Sequence, residues 1–118
     1  MSLQIDTFCK TLQETLDVIA KKFPDDKDIF YTQSQVEMSI NVSPRMTVKT
    51  FYENVVEYEE KIFMKDESFF LHMVTTDESL KCFDLGEKWN EFDAAQKELI
   101  FKNVQKMFKL AKIVLRSM

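Results

Sequence analysis

The residues best suited to metal or nucleophilic chemistry are one histidine, His72, and two cysteines, Cys9 and Cys82. A zinc site needs three or four His, Cys or carboxylate ligands at suitable spacings, and these three residues follow no such motif. One histidine also cannot supply the two Glu-x-x-His pairs of a di-iron bundle. We therefore predict no metal and no cofactor. The cysteines lie on apolar-rich segments, which favours two packed thiols in a reducing compartment and leaves a disulfide as the alternative in an oxidising one.

Two groups of acidic residues have spacings that invite a chemical interpretation: Asp25, Asp26 and Asp28, and Glu53, Glu57 and Glu60. The aspartates lack the glycine and the distal glutamate of a calcium-binding loop. The glutamates share one helical face but flank an apolar stripe, so we interpret them as a solvated face rather than an acid–base pair. Because Gly86 is the only glycine, a nucleophile elbow and a glycine-rich phosphate loop are excluded. We predict that the chain is not an enzyme.

The composition indicates one soluble domain over residues 1–118, built from helices. Apolar residues make up 45% and charged residues 31% of the chain, a balance typical of globular proteins. One glycine and two prolines are too few for an all-β domain, which needs a turn after every strand. No run approaches the roughly 20 apolar residues that span a bilayer, and the N-terminus has no secretory signal. We expect a cytoplasmic protein that does not enter a membrane.

Apolar residues return every three or four positions along most of the chain, which is the period of an amphipathic helix. The pattern predicts an all-α fold, a compact bundle of five to six helices whose long C-terminal helix is central and packs on the first and third. Asp66 and Asp93 are predicted to cap the helices that follow them. The predicted segments cover residues 3–23, about 25–40, 45–64, 67–74, a fifth stretch with Leu80, Phe83, Leu85 and Trp89, and 94–116.

The centres of these stripes form the predicted core, which comprises Phe8, Leu12, Leu16, Phe51, Val55, Ile62, Phe70, Trp89, Ile100, Val104 and Phe108. One short apolar run, residues 69–74, also suits a strand, because period alone does not decide short runs. A single strand would have no partner in the rest of the sequence, so we predict a helix there.

Charge is distributed unevenly along the chain. Residues 1–95 hold ten basic and nineteen acidic side chains, a net charge of −9, whereas residues 96–118 hold six basic and one acidic, a net charge of +5. Five cations at spacings of three and four form one stripe along the predicted last helix: Lys102, Lys106, Lys109, Lys112 and Arg116. The simplest interpretation is a solvated outer face. The alternatives are docking on an acidic surface of this chain or of another copy, and contact with nucleic-acid phosphates.

Leu99, Leu110 and Ile113 lie between the apolar stripe of the last helix and its cations. If they are exposed, they form an apolar strip with a cationic border, which is typical of a protein interface. The alternative is that other helices cover them. A membrane-surface role is disfavoured, because the apolar face of this helix is needed for the core.

Two stretches of the chain resemble a known group of proteins. The first is Phe51-x6-Tyr58-x3-Ile62-x2-Lys65-Asp66-Glu67-Ser68-Phe69-Phe70-Leu71, and the second contains Trp89, Lys97, Ile100, Phe101, Val104, Gln105, Phe108 and Ala111. Over about residues 44–111 the chain resembles small, uncharacterised helical proteins of nucleocytoplasmic large DNA viruses. The resemblance implies a viral protein found in the cytoplasm of an infected cell or in the virion. It contains no catalytic motif and implies no reaction.

The leading functional hypothesis is a non-catalytic protein–protein interaction domain that binds itself or another protein, such as a virion component, through Leu99, Leu110 and Ile113. The alternative hypothesis is a nucleic-acid-associated protein that binds phosphates through the five cations of the last helix. The net charge of −4 disfavours the alternative, because nucleic-acid-binding domains usually carry a net basic footprint.

Overall fold

A computed structural model of the chain describes residues 3–73 and 85–116. Six α-helices make up most of this part, which contains no β-strand. They are α1 (Leu3–Lys22), α2 (Lys27–Val42), α3 (Pro44–Val55), α4 (Glu59–Phe63), α5 (Ser68–His72) and α6 (Ala94–Arg116). Two short 3₁₀ segments, Val56–Tyr58 and Gly86–Glu91, lie between them. The predicted all-α fold with a long C-terminal helix is confirmed.

The centre of the fold is the pair of long helices α1 and α6. These two helices make the most extensive contact in the molecule, and α3 packs against both. Phe8 of α1 meets Phe51 of α3 edge to face, with ring centroids 5.2 Å apart, which is a favoured geometry for buried rings. The predicted central position of the last helix is therefore confirmed. All of the predicted core residues are at most 1% exposed: Phe8, Leu12, Leu16, Phe51, Val55, Ile62, Phe70, Trp89, Ile100, Val104 and Phe108.

The start of α6 is set by a capping box. The Asp93 carboxylate accepts a hydrogen bond of 2.8 Å from the backbone N–H of Gln96. In return, the Gln96 side-chain oxygen accepts one of 3.0 Å from the backbone N–H of Asp93. This reciprocal pair satisfies backbone donors that the first helical turn leaves without partners. The predicted Asp93 cap and the predicted start of this helix at residue 94 are both confirmed.

The third predicted helix, residues 45–64, is not continuous, and that prediction is wrong. α3 ends at Val55, whose φ of −115° and ψ of −7° differ from the typical α-helical values of about −63° and −42°, and a 3₁₀ turn leads into α4. Val55 and Val56 are adjacent β-branched residues, which have low helix propensity. The break also lets Tyr58 pack on Phe69 of α5, with ring centroids 5.4 Å apart. The apolar spacing continues through the break, so periodicity alone predicted one helix.

The two described stretches between α4 and α6, residues 64–73 and 85–93, differ from the predicted segments. α5 ends at His72, and the predicted residues Val74, Leu80 and Phe83 lie outside the described part of the chain. The predicted cap at Asp66 lies one residue too early, because the N-cap of α5 is Glu67, whose side chain makes no capping hydrogen bond. The Asp66 carboxylate accepts a hydrogen bond from the backbone N–H of Ser68, just before the helix. The end of the predicted fifth segment, Gly86–Glu91, is a 3₁₀ helix rather than an α-helix.

Trp89 is the centre of an aromatic cluster that joins this 3₁₀ segment to α5 and α6. Its ring stacks on Phe70 with centroids 4.3 Å apart and meets Phe101 edge to face at 5.5 Å. Phe92 adds a tilted contact at 5.9 Å. The indole is fully buried, and its Nε1 has no hydrogen-bond partner among the residues that the structure describes. Packing, rather than polar contacts, therefore holds this ring in place.

An ion pair attaches the same 3₁₀ segment to the start of α2. The Asp26 carboxylate accepts hydrogen bonds from the backbone N–H groups of Asp28 and Ile29, as an N-cap does, and it also pairs with Lys88. The hydrogen bond from Lys88 is the largest cause that lowers the pKa of Asp26 below its ordinary value; desolvation opposes it, and the backbone hydrogen bonds and the charge of Lys88 lower the pKa further. One carboxylate thus stabilises both a helix start and a contact between distant segments.

Candidate functional site

The residues suited to metal or nucleophilic chemistry occupy different environments. His72 is exposed at the end of α5, whereas Cys9 is a buried free thiol on α1. Burial, followed by the charge of Asp6, raises the pKa of Cys9, which disfavours its reactive thiolate form. Cys82 lies outside the described residues. Within residues 3–73 and 85–116, no three His, Cys, Asp or Glu side chains lie close enough to hold a metal ion.

The three glutamates of the third predicted helix are exposed and lie on three separate elements. Glu53 is on α3, Glu57 is in the 3₁₀ turn and Glu60 is on α4, so the single helical face predicted for them does not exist. Glu53 lies 3.8 Å from the Lys49 ammonium in an exposed pair one helical turn away. These carboxylates face solvent and do not form a buried pair.

The three residues predicted to bind a protein partner are unequally exposed on α6. Leu99 is 42% and Ile113 is 47% exposed, whereas Leu110 is half-buried and packs against the core. Other helices therefore do not cover Leu99 and Ile113. The buried side of α6 consists of residues on the opposite face of the helix: Ile100, Phe101, Val104, Met107, Phe108, Ala111 and Val114.

An open groove of about 580 Å³ follows the outer side of α6. We call the exposed side of this helix the outer face of α6; it comprises the residues that line the groove together with Ile113. The Gln105 side chain, at one border, donates a hydrogen bond of 3.0 Å to the backbone carbonyl of Ile62, which fixes it against α4. The groove is lined by two leucines, two amides and three lysines, namely Leu99, Leu110, Asn103, Gln105, Lys102, Lys106 and Lys109.

The five predicted cations divide into two classes by their contacts. Lys112 is half-buried, pairs with Glu59 of α4, and lies 5.2 Å from the ring centroid of Phe108. The Lys109 ammonium lies 5.6 Å from the ring centroid of Phe63. Both contacts attach these two lysines to neighbouring side chains. The other three cations are exposed and have no carboxylate partner in the part of the chain that the structure describes: Lys102, Lys106 and Arg116.

A second apolar surface, which the sequence analysis did not identify, lies on the outer side of α2. Its members are more than half exposed: Phe30 at 70%, Tyr31 at 54%, Met38 at 59% and Val42 at 85%. We call these four residues the outer face of α2. Ile29, Thr32 and Val36 are the buried residues of the same helix, so α2 carries apolar side chains on both sides. Apolar residues on both sides of this helix are visible in the sequence, and this pattern could have predicted that one side is exposed.

The outer face of α2 is large and nearly uncharged. Its four side chains expose on the order of 400 Å² of surface, which lies within the range of the largest apolar patches on ordinary monomers. The charged residues of α2 are Lys27, Asp28 and Glu37, and no further charge occurs before Arg45. Exposed Lys27 lies one helical turn before Phe30 and Tyr31, so the face has a cation at one end, whereas its part from Met38 to Val42 contains no charged residue. Apolar patches whose charges lie at the border are typical of protein interfaces.

Comparison of the chain with protein-family models, with curated proteins and with solved structures finds no match. In the two described ranges, none of the helices combines the length and the apolar character that crossing a bilayer requires. Among the described residues, the outer faces of α2 and α6 are two surfaces that expose several apolar side chains.

Proposed function

We propose that this chain is a non-catalytic protein–protein interaction domain that associates with itself through the outer face of α2. The observation that carries the proposal is the exposure of Phe30, Tyr31, Met38 and Val42 on one side of one helix. Aromatic residues and methionine are enriched in the cores of protein interfaces. Association would remove these side chains from water, which is the main favourable contribution to most protein–protein contacts.

The near absence of charge on this face favours a second copy of the chain as its partner. Two identical faces meet about a two-fold axis, so each residue must tolerate its own copy or a neighbour of that copy. Antiparallel pairing of two α2 helices would place Tyr31 of one copy opposite Val42 of the other. It would also bring Asp28, near one end of the helix, towards Arg45 of the second copy, which gives opposite charges at both ends of the interface.

The test is the oligomeric state of the intact chain over a series of concentrations, measured by sedimentation equilibrium. We expect a reversible dimer that Met38→Lys converts to a monomer, because the substitution places a charge in the apolar contact. Met64→Lys is the matched control, since Met64 is 71% exposed and lies outside the outer face of α2. A wild-type chain that stays monomeric at the highest concentration, or equal weakening by both substitutions, would contradict the proposal.

Nucleic-acid binding is the second candidate function, and the cations without carboxylate partners on α6 favour it. Lys102, Lys106 and Arg116 are exposed and available to phosphate groups. If they bind phosphates, charge reversal at Lys102, Lys106 and Lys109 should weaken retention on DNA or RNA and flatten its dependence on salt. A wild-type chain that is not retained on either nucleic acid at low salt would eliminate this candidate. The net charge of −4 makes it the weaker of the two.

A further inference from the structure

The outer face of α6 combines apolar side chains with two exposed lysines, Lys102 and Lys106, that have no carboxylate partner among the described residues. Leu99 and Ile113 are exposed, and Leu110 is half-buried beside them. The three apolar residues span fifteen positions of the helix, or about 21 Å at the rise of an α-helix. This length matches four turns of a second helix lying along α6. The groove of about 580 Å³ follows the part of this surface from Leu99 to Leu110.

Three lysines on or beside α6 have carboxylate partners, whereas two cations of its outer face do not. Lys65 pairs with Glu98, Lys97 lies 3.3 Å from Glu67, and Lys112 pairs with Glu59. Lys102 and Lys106 have no such partner among the described residues, although both line the groove. Glu98 is the only acidic residue of α6, and its pairing with Lys65 leaves no anion of this helix to neutralise them.

A face with charges of one sign cannot pair with its own copy, because like charges would then lie opposite each other. The phosphates of a nucleic acid would pair with the lysines. The same binding mode would place the apolar side chains of Leu99 and Ile113 next to the charged sugar–phosphate backbone. An acidic amphipathic helix satisfies both features, because its apolar residues at helical spacing meet the leucines and its carboxylates meet the lysines.

We infer that the outer face of α6 is a docking site for an acidic amphipathic helix of a partner protein. This inference concerns a different face and a different occupant from the proposed self-association, so either can fail without the other. Lys102 and Lys106 provide the charge complementarity, and Leu99, Leu110 and Ile113 provide the apolar contact. The partner helix lies along α6 for about four turns.

The test uses three synthetic peptides of about 18 residues, long enough for roughly five helical turns. The first is acidic and amphipathic, with leucines at helical spacing and glutamates on the flanks. The second has lysine in place of each glutamate, and the third has the composition of the first in scrambled order. Binding to the full chain is measured by fluorescence anisotropy, and the Met38→Lys variant is measured in parallel so that self-association does not interfere. A DNA duplex of similar charge forms a fourth arm.

We expect the acidic amphipathic peptide to bind at least about tenfold more tightly than the other two peptides and the duplex. Combined Lys102→Glu and Lys106→Glu substitutions should weaken it by about tenfold, as should combined Leu99→Ser and Ile113→Ser. Lys10→Glu with Lys22→Glu, on exposed positions of α1, is the matched charge control and should leave binding within about twofold.

Four results would overturn the inference. Equal binding of the scrambled peptide would show that charge alone is recognised. Preferential binding of the duplex would assign the face to phosphates. Groove variants that bind the first peptide as well as the wild type does would place its site elsewhere. A wild type that binds none of the peptides at millimolar concentration would show that the face does not bind such a helix.

Discussion

The outer faces of α2 and α6 expose similar kinds of apolar residues but differ in charge. The face on α2 has no charged residue between Glu37 and Arg45, whereas the leucines of α6 lie among lysines. An uncharged face tolerates its own copy, but a face of one charge sign repels its copy and requires an anionic partner. Exposure therefore marks where this molecule can bind, and the neighbouring charges determine what can bind there.

The two helices also differ in how firmly the fold holds them. α6 is central, with seven buried residues along its length, whereas α2 is peripheral and has three. α2 packs against α1 and α3, so most of its circumference remains available. The docking site proposed on α6 would therefore lie on the helix with the more extensive packing, and the self-association site proposed on α2 would lie on a helix that association can stabilise.

The largest expected effect separates a phenylalanine of the core from one of the α2 face. Phe51 is 1% exposed and Phe30 is 70% exposed, so the same change to alanine tests burial directly. Phe51→Ala should lower the free energy of unfolding by about 3–5 kcal/mol, because it leaves a cavity against Phe8. Phe30→Ala should change it by less than about 0.5 kcal/mol in the dilute monomer and should instead weaken self-association. Urea unfolding measures the free energy of unfolding of both variants. Equal decreases in the two would mean that Phe30 is a core residue.

The next effect concerns the start of α2. Asp26→Ala should cost about 1–2 kcal/mol, because it removes the N-cap of α2 together with the pair to Lys88. Asp26→Asn should cost less, since asparagine can still cap the helix but cannot form the ion pair. Asp25→Asn is the control, because Asp25 is an exposed neighbour that is not the cap.

Acid should remove the difference between the wild type and Asp26→Asn. The folded-state pKa of Asp26 is lowered, so its charged form stabilises the fold at pH values above its unfolded-state pKa, which is about 3.9. That contribution is lost as the pH falls through the lower folded-state pKa, where the carboxylate becomes protonated in the native protein. Unfolding free energies measured from neutral to acidic pH should therefore converge for the two proteins. A gap that stays constant with pH would assign the effect to packing.

Salt should have opposite effects at the two faces. Raising the salt concentration from about 0.05 M to 0.5 M shortens the screening length to well below 10 Å, which weakens contacts between exposed charges. Binding of an acidic peptide to α6 should fall several-fold, whereas self-association through α2 should be unchanged or strengthened. Anisotropy and sedimentation at matched salt concentrations measure the two. Parallel weakening of both would show that charge also controls the α2 contact.

The smallest expected effect tests backbone conformation beside α6. Lys65 has a φ of +54°, in the left-handed region that favours glycine, and its pair with Glu98 is exposed. Lys65→Gly should raise stability by a few tenths to about 1 kcal/mol, because relief of the backbone strain exceeds the loss of a weak surface pair. Gly86→Ala, at a φ of +48°, is the opposite control and should lower stability by about 1 kcal/mol. Thermal unfolding measures both, and neither change should alter peptide binding to α6.

The sequence predicted the long helices and the core well, because each of these depends on a local pattern. α1 and α6 were predicted within one residue of their observed ends, since Pro24 follows the first and Asp93 begins the second. Fully buried residues such as Phe8 and Val104 lie at the centres of unbroken apolar stripes. A stripe of this kind has few ways to be buried other than in a helical bundle.

The break after Val55 was not predictable from period, because it depends on contacts distant in sequence. Ile62, after the break, continues the apolar spacing that Val55 ends before it. The break is associated with the contact between the rings of Tyr58 and Phe69. A straight helix would satisfy the same spacing, so the choice between the two is made by tertiary packing. The 3₁₀ segment Gly86–Glu91 is similar, because the burial of Trp89 and the pair between Lys88 and Asp26 define it.

The candidate surfaces were predicted only in part, for a related reason. Leu99 and Ile113 were predicted as candidate interface residues because they are apolar residues next to the cations of the last helix. Phe30 and Met38 were overlooked, because apolar residues on a helix are ordinarily assigned to the core. Which of two apolar sides faces a neighbour depends on the position of the whole helix. Only the packing of α2 against α1 and α3 decides it.

The buried indole of Trp89 makes this protein report on its own unfolding. Trp89 is the only tryptophan of the chain, so intrinsic fluorescence arises mainly from one place, between Phe70 and Phe101. Because the ring is fully buried and its Nε1 has no hydrogen-bond partner among the described residues, the folded emission should lie far to the blue and shift red on unfolding. The signal should change little when a partner binds the exposed face of α2, because Trp89 is buried beneath other side chains, which allows assembly and loss of structure to be followed separately in one sample.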